Sequence, residues 1–444
     1  MHRLHVVCLA LAVVGGCSRS REERDEREEK EAPSPAQVRP EARAQFEAGM
    51  RALHSFWYDE AIRQFEGAIE TDRTFSMAYW GLAMSQAKIL WGDDHASTAR
   101  AILARLPRPD LLSPRDQAWV QAARVLFAGD QVLSNRRDFA AAMEKLHARY
   151  PDDESALFLA VALLGTLYPG HPDEAAIRRR AGELAEEVFA RNPKHPGAAH
   201  YLIHAYDTPE LAARALPAAR LYATTAPEAF HARHMPAHIF ARLGMWKEAL
   251  ASCESAWDAS VAAAKRHGLT ADHHDYHSLA WIVEIDFELG RRSKADEAFQ
   301  RFADAVRAGL RPDNRVAYLN LGMSYLGRTG DWKRAAEVIA PTEAPAAGGP
   351  AADAPPPGGT SCTGHPPAAS GSPMPLFVTR AQLTIQARAA AEARDLAATR
   401  KRLDQIAAVD ASLDRFLTDT QPPALVARQK RMNDFSARAR ASSA

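Results

Sequence analysis

The chain has 444 residues, of which 47% are hydrophobic and 25% charged, and its 55 basic residues balance its 55 acidic ones. A balanced charge argues against nucleic acid as a partner and against attraction to an acidic membrane surface. This length suits two or three globular domains or one extended repeat domain. Abundant alanine, helical periodicity and few β-branched runs predict an all-α protein.

The N-terminus predicts an exported, lipid-anchored protein. A short basic stretch precedes an apolar run from Leu4 to Val14, which is too short to cross a bilayer as a helix. The run ends in VGGC, and this motif resembles the lipobox of bacterial lipoproteins, in which the cysteine is acylated and becomes the new N-terminus. We therefore expect residues 1–16 to be a lipoprotein signal peptide and Cys17 to be the lipidation site. An ordinary signal peptide with an incidental cysteine is the alternative.

The lipobox resemblance also implies a location. Ser18, rather than aspartate, follows the cysteine, and in bacterial lipoproteins this favours the outer membrane of a Gram-negative cell. Acyl chains such as palmitate would supply the membrane contact, at about 0.8 kcal/mol for each buried methylene. Residues 17–40 are charged and nearly free of apolar side chains, so we expect a disordered tether on the periplasmic side.

Residues 41–340 repeat a helix–turn–helix pattern. Ala61, Phe65 and Ala68 place an aromatic residue between two small ones on one helix face, which lets a paired helix approach closely. Two later segments begin alike, and their paired histidines recur after about 34 residues, the period of the tetratricopeptide repeat (TPR). Each hairpin leaves an apolar face that only its neighbour can cover, so the pattern predicts an α-α superhelix of about eight or nine hairpins.

The C-terminal part is predicted from composition and periodicity alone. Residues 341–375 are rich in Pro, Ala and Gly and are expected to form a linker. Residues 376–444 are expected to form one more helical pair and a capping helix that begins near Pro423. Cys253 lies in a predicted helix and Cys362 in the linker. A disulfide framework is not indicated, and a single bridge between these two cysteines stays open.

Six histidines occupy equivalent places in three consecutive repeats. Counting begins at Pro196, Phe230 and Tyr276, the first residues of the three repeats. His231, His234 and His238 have the i, i+3, i+7 spacing that places side chains on one face of a helix. The second place holds His231 and His277, the fifth place His200 and His234, and the ninth place His204 and His238.

This row of histidines predicts a candidate metal site. Neighbouring helices lie about 8–10 Å apart, so imidazoles from facing helices can share one ion. The set would suit Zn²⁺ or another metal that prefers imidazole, and the sequence implies no other cofactor. Asp207 and Glu284 offer oxygens nearby, and Glu284 would be the candidate base if the site hydrolysed a substrate. The candidate ligands of one shared ion are His200, His204, His234, His238 and His277.

Two other roles for the histidines stay open. They can form a structural network with each other and with the hydroxyls of Tyr201 or Tyr206, or they can line a polar groove for a peptide. The segment from His200 to His204 reads HYLIH, not HExxH, and the chain contains no nucleophile elbow, P-loop or dinucleotide fingerprint. We therefore expect a binding protein rather than an enzyme. His54 takes another groove place, but it lies several repeats away, and we expect it outside the cluster.

The chain resembles a family of uncharacterised bacterial TPR proteins that are often secreted or lipid-anchored. The matching stretches cover most of residues 45–335 and are LHSFWYDEAIRQFEGAI, MAYWGLAMS, HPGAAHYLIHAYDTP, HARHMPAHIFARLGMW and DYHSLAWIVEIDFELGR. The resemblance implies a TPR solenoid in which the second, fifth and ninth places face a concave groove. It implies no substrate, reaction or oligomeric state.

Two functions follow as expectations. The first is a lipid-anchored scaffold that binds a peptide or protein partner in its groove, and the alternative is a metal-binding envelope protein or metal-dependent hydrolase. Both use the same predicted groove residues, which are His200, His204, His231, His234, His238, His277, Asp207 and Glu284.

Overall fold

The computed structural model describes residues 38–90, 93–129, 131–168, 170–225, 229–343 and 374–420. Contacts within the chain divide it after Val38, and every helix described below belongs to the unit that begins at Arg39. Several predicted features lie outside the described residues. They are the signal peptide, the predicted lipidation site Cys17, nearly all of the tether, most of the linker with Cys362, and the capping helix.

Helix follows helix through the described residues, which confirms the predicted all-α class. A two-residue antiparallel ladder joins β1 (Ala87–Lys88) to β2 (Asp93–Asp94). The helices up to the first histidine pair are α1 (Pro40–His54), α2 (Tyr58–Thr71), α3 (Ser76–Met84), α4 (Ala96–Ala104), α5 (Pro114–Leu126), α6 (Val132–Arg149), α7 (Asp153–Leu164), α8 (Glu174–Arg191) and α9 (Pro196–Tyr206).

The helices after the first histidine pair are α10 (Ala212–Thr225), α11 (Phe230–His234), α12 (Pro236–Arg242), α13 (Trp246–Arg266), α14 (Tyr276–Glu288), α15 (Arg292–Arg307), α16 (Pro312–Thr329), α17 (Ala335–Ile339), α18 (Met374–Glu392) and α19 (Leu396–Thr420). Single 3₁₀ turns occur at Pro109–Leu111, Ala271–His273, Trp332–Arg334 and Ala340–Thr342. None of the described helices is both long and apolar enough to cross a membrane.

Helices that are consecutive in sequence pack against each other as hairpins. Examples are α1 with α2, α7 with α8, α9 with α10, and α14 with α15. In α2 the predicted face of Ala61, Phe65 and Ala68 is fully buried, and burial of a phenylalanine stabilises the fold by about 1.5–3 kcal/mol. First helices of neighbouring hairpins also touch, as α7 and α9 do.

Helix starts position several site residues. Asp152 caps α7 by accepting from the backbone N–H of Ser155 at 2.8 Å, and the Ser155 hydroxyl accepts from the Asp152 N–H at 3.0 Å. Asp275 caps α14 by accepting from the N–H of Ser278 at 3.1 Å. These caps satisfy N–H groups that the first helical turn leaves without partners, and they fix where each helix begins.

The second histidine segment is divided by a proline. Pro236 has no N–H to donate to the preceding turn, so α11 ends at His234 and α12 begins at Pro236. Met235 between them keeps right-handed helical angles, with φ −52° and ψ −36°. His234 and His238 therefore stay one turn apart on the same face despite the break.

Two contacts bring distant parts of the unit together. Helix α1 packs against α9, so the end of the first hairpin lies beside the first histidine pair.

The helical pair expected after residue 376 lies at α18 and α19, which pack against each other and are joined by a 2.6 Å ion pair between Arg380 and Asp410. Helix α18 also packs against α16.

Candidate metal centre

The six histidines predicted to line the groove form two trios. In each trio the ring nitrogens lie within 4.8 Å of one another. The predicted single set of five ligands is thus divided between two places, and His231, predicted for the groove but not for the metal, completes the first. Trio A is His200, His204 and His231, and trio B is His234, His238 and His277.

The two trios are equivalent in repeat phase. Each takes the fifth and ninth histidines of one repeat and the second histidine of the next. Trio A combines two side chains of α9 with one of α11, and trio B combines one each from α11, α12 and α14. The same local geometry is therefore built twice from one sequence pattern.

Three Nε2 atoms converge in trio A. Nε2 of His200 lies 3.0 Å from Nε2 of His204 and 3.1 Å from Nε2 of His231. The Nδ1–H of His200 donates to the backbone carbonyl oxygen of His54 at 2.6 Å, so the Nε2 of a neutral His200 carries a lone pair and no proton. This lone pair can accept one N–H, whereas a metal ion accepts a lone pair from each of the three imidazoles.

Burial keeps trio A unprotonated. It lowers the pKa of His200 to about 3, and the charges of His54 and His238 act in the same direction while the bond to the His54 carbonyl opposes them. Burial, reinforced by neighbouring histidines, also holds the pKa of His204 and of His231 well below the ordinary value. Neutral imidazole is the form that binds a metal.

In trio B, hydrogen bonds at both Nδ1 atoms fix the tautomers of two histidines. The Nδ1–H of His238 donates to Oδ2 of Asp207 at 2.9 Å. Burial acts to raise the pKa of Asp207, but the hydrogen bonds and charges of His238 and Arg242 outweigh it and hold this pKa below its usual value. The carboxylate is therefore ionised and can only accept.

His234 is oriented by a short relay. The Ser278 hydroxyl donates to Oδ2 of Asp275 at 2.5 Å, so its oxygen accepts from Nδ1–H of His234 at 2.9 Å. Cys253, which is a buried free thiol, lies 3.6 Å from the same Nδ1. Burial raises the pKa of Cys253 well above its ordinary value, so this sulfur stays a neutral packing neighbour.

Two nitrogen lone pairs consequently face each other in trio B. The Nε2 atoms of His234 and His238 lie 3.1 Å apart, and each belongs to a ring whose proton is on Nδ1. Only an added proton or a metal cation between them makes this approach favourable. Burial, followed by the charges of neighbouring histidines, holds the pKa of His234 well below its ordinary value, so an added proton would have to lie on His238 beside Asp207.

The third member of trio B completes the set. The ring centroid of His277 lies 4.6 Å from that of His234. Burial, followed by the charge of His238, lowers the pKa of His277 to about 4. A tetrahedral zinc ion places its nitrogens about 3.3 Å apart, so both trios need only small side-chain movements to bind one.

An aromatic ring packs against each trio. The centroid of Phe56 lies 4.3 Å from His200 in trio A, and that of Trp281 lies 4.6 Å from His238 in trio B. Phe56 has φ +52°, an uncommon conformation for a bulky residue and one that costs of order 1–3 kcal/mol. The fold thus holds Phe56 in a strained turn directly after α1, with its ring against trio A.

A third cluster has the composition of a metal site but the hydrogen bonds of a closed network. It consists of His54, Glu154 and His195 and is called here the His54 cluster. Nε2 of His54 donates to Glu154 at 2.8 Å, and Nε2 of His195 donates to the other carboxylate oxygen at 3.2 Å. Burial would raise the pKa of Glu154, but the charge of His54 and the hydrogen bonds from His195 and His54 hold it well below its usual range.

The remaining ring nitrogens of the His54 cluster are also satisfied. Nδ1 of His54 is hydrogen-bonded to the Tyr201 hydroxyl at 3.0 Å, and Nδ1 of His195 accepts from the N–H of Gly197 at 3.2 Å. Burial raises the pKa of Tyr201 well above its ordinary value, so the hydroxyl keeps its proton. Each of the four ring nitrogens in the cluster has a hydrogen-bond partner, so hydrogen bonds alone account for this cluster.

The predicted oxygen donors lie outside the trios. Asp207 orients His238 and pairs with Arg242 at 2.8 Å. Glu284 pairs with Arg328 at 2.7 Å, and it is not among the described residues whose ligand atoms converge. Its predicted role as a base stays a prediction.

Three residues that contact the trios were not predicted from the sequence. His54 was expected outside the cluster, yet its backbone carbonyl holds His200 and its side chain is only 1% exposed. His54 lies several repeats before His200, and the periodicity of the sequence does not predict that α1 packs against α9. Ser278 could have been found from Asp275-x-x-Ser278 at a helix start, which signals a cap, whereas Phe56 had no sequence signal.

The chain matches no protein-family model and no curated protein.

Proposed function

We propose that this protein binds two metal ions, one in trio A and one in trio B. The observation that carries the proposal is the pair of Nε2 atoms of His234 and His238, which lie 3.1 Å apart while both Nδ1 atoms donate to other partners. In trio A the Nδ1–H of His200 likewise donates to another partner, while its Nε2 faces those of His204 and His231. Metal-binding histidines characteristically donate their second ring N–H to a carboxylate, a backbone carbonyl or a similar acceptor.

The chemistry of the donor set selects the metal class. Three neutral imidazoles suit Zn²⁺ and Cu²⁺, and also Ni²⁺ and Fe²⁺, whereas Mg²⁺ and Ca²⁺ prefer oxygen donors. Three protein ligands also leave at least one coordination position open, as in catalytic rather than structural zinc sites. The proposed sites therefore accept an exogenous ligand.

Burial favours metal binding over peptide binding at these histidines. His200 and His234 are 0% exposed and His231 is 7% exposed, so a docking peptide would find little of their surface. The expected scaffold function stays a prediction for the rest of the groove. Metal binding accounts for the same residues without requiring their exposure.

The cellular setting of the proposal comes from the sequence. A TPR solenoid would supply the stacked helices, and a lipid anchor at Cys17 would hold the protein at the outer membrane of the cell envelope, facing the periplasm. The hairpin packing and the repeat equivalence of the trios support the TPR part, and the VGGC motif supports the lipid anchor. Together they make this a lipid-anchored metal-binding protein of the envelope.

Metal content tests the proposal directly. Protein purified without a His tag is incubated with Zn²⁺ or Cu²⁺, passed through gel filtration and analysed for metal by mass spectrometry. We expect about two equivalents in the wild type and about one in either His204→Ala or His238→Ala. These two residues are partly exposed, so their replacement disturbs the core least.

The His54 cluster provides the matched control. His195→Ala removes a histidine from a group of similar composition, and we expect it to keep about two equivalents of metal. Less than about a tenth of an equivalent in wild-type protein, with its helical circular dichroism intact, would refute the proposal. Equal metal loss in His195→Ala would also count against it, because the loss would then not be specific to the trios.

A further inference from the structure

The two proposed metal sites are joined by one short helix. His231 and His234 lie three residues apart on α11, yet the first belongs to trio A and the second to trio B. Residues at this spacing have Cβ atoms about 5–6 Å apart. The nitrogens of trio A and those of trio B therefore converge on the same side of α11, about one helical turn apart.

A second connection runs through α9. Asp207 directly follows this helix, which carries two histidines of trio A, but its carboxylate holds His238 of trio B at 2.9 Å. Helices α9 and α12 also contact each other.

The aromatic side chains close the site from two directions. Phe56 packs on trio A and Trp281 on trio B, with its centroid 4.6 Å from His238 and 5.4 Å from His234. His200 of trio A also stacks on buried Tyr222 with centroids 5.1 Å apart. Apolar surroundings of this kind limit the entry of water and exclude large ligands from the open coordination positions.

We propose that trio A and trio B form a single two-metal centre that takes one small anion, such as hydroxide or azide, between its ions. The proposal rests on the proposed function, since it requires that both trios bind metal. It adds that the ions lie within roughly 4 Å of each other, the spacing at which one small ligand bridges two metal ions, and that their open positions face a shared space.

Copper provides the probe, because two nearby Cu²⁺ ions interact magnetically. Wild-type protein loaded with two equivalents of Cu²⁺ is compared by electron paramagnetic resonance with His204→Ala and His238→Ala, each loaded with one. We expect a broadened spectrum and a half-field transition in the wild type, and an isolated-ion spectrum in both variants. His195→Ala, which leaves both trios intact, should retain the half-field transition.

Azide tests the shared ligand. Titration of the copper-loaded protein, followed by the azide-to-copper charge-transfer absorption, should saturate at one azide for each pair of ions in the wild type. Each single-site variant should take one azide for its one ion. A doubled azide stoichiometry in the wild type would overturn the shared ligand.

The outcomes separate this inference from the proposed function. A wild-type spectrum equal to the sum of the two variant spectra would overturn the two-metal centre while leaving two independent sites. Wild-type protein that retains no copper after gel filtration would remove both proposals. Unchanged helical circular dichroism in the variants shows that a lost transition reflects a lost site and not a lost fold.

Discussion

The backbone carbonyl oxygen of His54 accepts a hydrogen bond from Nδ1 of His200 at 2.6 Å, although 146 residues separate them in the chain. The bond fixes the tautomer of His200 and so directs its Nε2 lone pair into trio A. The first hairpin thereby supports a site whose ligands all come from later repeats. Because the acceptor is main chain, the identity of residue 54 affects this bond only through the position of the helix end.

Replacement of Asp207 by asparagine should weaken trio B selectively. The neutral amide is a poorer acceptor for Nδ1–H of His238, and loss of such a carboxylate partner typically costs 10–100-fold in metal affinity. We expect this loss for Zn²⁺ in the His204→Ala background, where only trio B is complete. Competition with a chromophoric chelator measures it.

The reciprocal background is the control for Asp207→Asn. In His238→Ala only trio A is complete, and there the same substitution should change the Zn²⁺ affinity by less than about threefold. Similar losses in both backgrounds would show that Asp207 acts on the fold through Arg242, with which it also pairs, and not on His238.

Acid should destabilise the metal-free protein well above the range in which carboxylates titrate. The pKa of His200 is lowered to about 3 and that of His277 to about 4, whereas an unfolded histidine titrates near 6.5. The unfolded chain therefore binds protons that the folded chain does not, and stability falls as pH falls. Between pH 7 and pH 5 each of these two histidines should cost about 2 kcal/mol.

Urea unfolding at pH 7, 6 and 5 measures this dependence. Glu154, whose pKa is also lowered, adds acid sensitivity only below about pH 4.5, outside the chosen window. His200→Gln cannot titrate at that position, so its free energy of unfolding should vary less steeply with pH than that of the wild type. A wild-type free energy that is the same at pH 7 and pH 5 would show that the folded trios take up protons over this range as readily as the unfolded chain does.

Trp281 should report occupation of trio B. Its ring centroid lies 4.6 Å from that of His238, close enough for bound Cu²⁺ to quench its fluorescence. In the His204→Ala background, Trp281→Phe should remove most of the quenching caused by the first equivalent of Cu²⁺, because phenylalanine keeps the packing but not the indole. Trp332→Phe is the matched control and should leave the quenching unchanged, and quenching that persists in Trp281→Phe would place the ion elsewhere.

Part of the site could be predicted because it depends on spacing within one helix. The pairs His200 with His204 and His234 with His238 follow from a four-residue separation on helical segments. Their division into two trios could not be predicted, since it depends on how far each helix is rotated against the next. Repeat phase placed His231 in the same row but could not show which pair it joins.

The residues that orient the trio histidines are harder still to predict from the sequence. His54 reaches His200 only because α1 packs against α9, and no local pattern in either helix specifies that pairing. Proton positions decide whether the nitrogens of His234 and His238 attract or repel, and these depend on Ser278 and Asp207, each contributed by a different repeat. The helical class, by contrast, follows from apolar periodicity that each segment carries by itself.

Gly197→Ala tests the connection between the first hairpin and trio A. A Cβ at Gly197 would lie 2.5 Å from Nδ1 of His54, closer than non-bonded atoms approach. The His54 ring is buried and hydrogen-bonded through both nitrogens, so it cannot move aside cheaply, and the end of α1 must shift. We expect a loss of stability of about 1–3 kcal/mol, as for other overpacked cores.

The displaced helix end should also withdraw the carbonyl that orients His200. Zn²⁺ affinity of trio A, measured in the His238→Ala background, should therefore fall about 10–100-fold, while trio B in the His204→Ala background keeps its affinity. Gly327→Ala is the matched control, because Gly327 lies within α16 and has nothing within 4 Å of an added Cβ. It should leave both affinities unchanged and stabilise the helix by up to about 1 kcal/mol. Destabilisation by Gly197→Ala without loss of trio A affinity would show that the His54 carbonyl is not needed to orient the ligand.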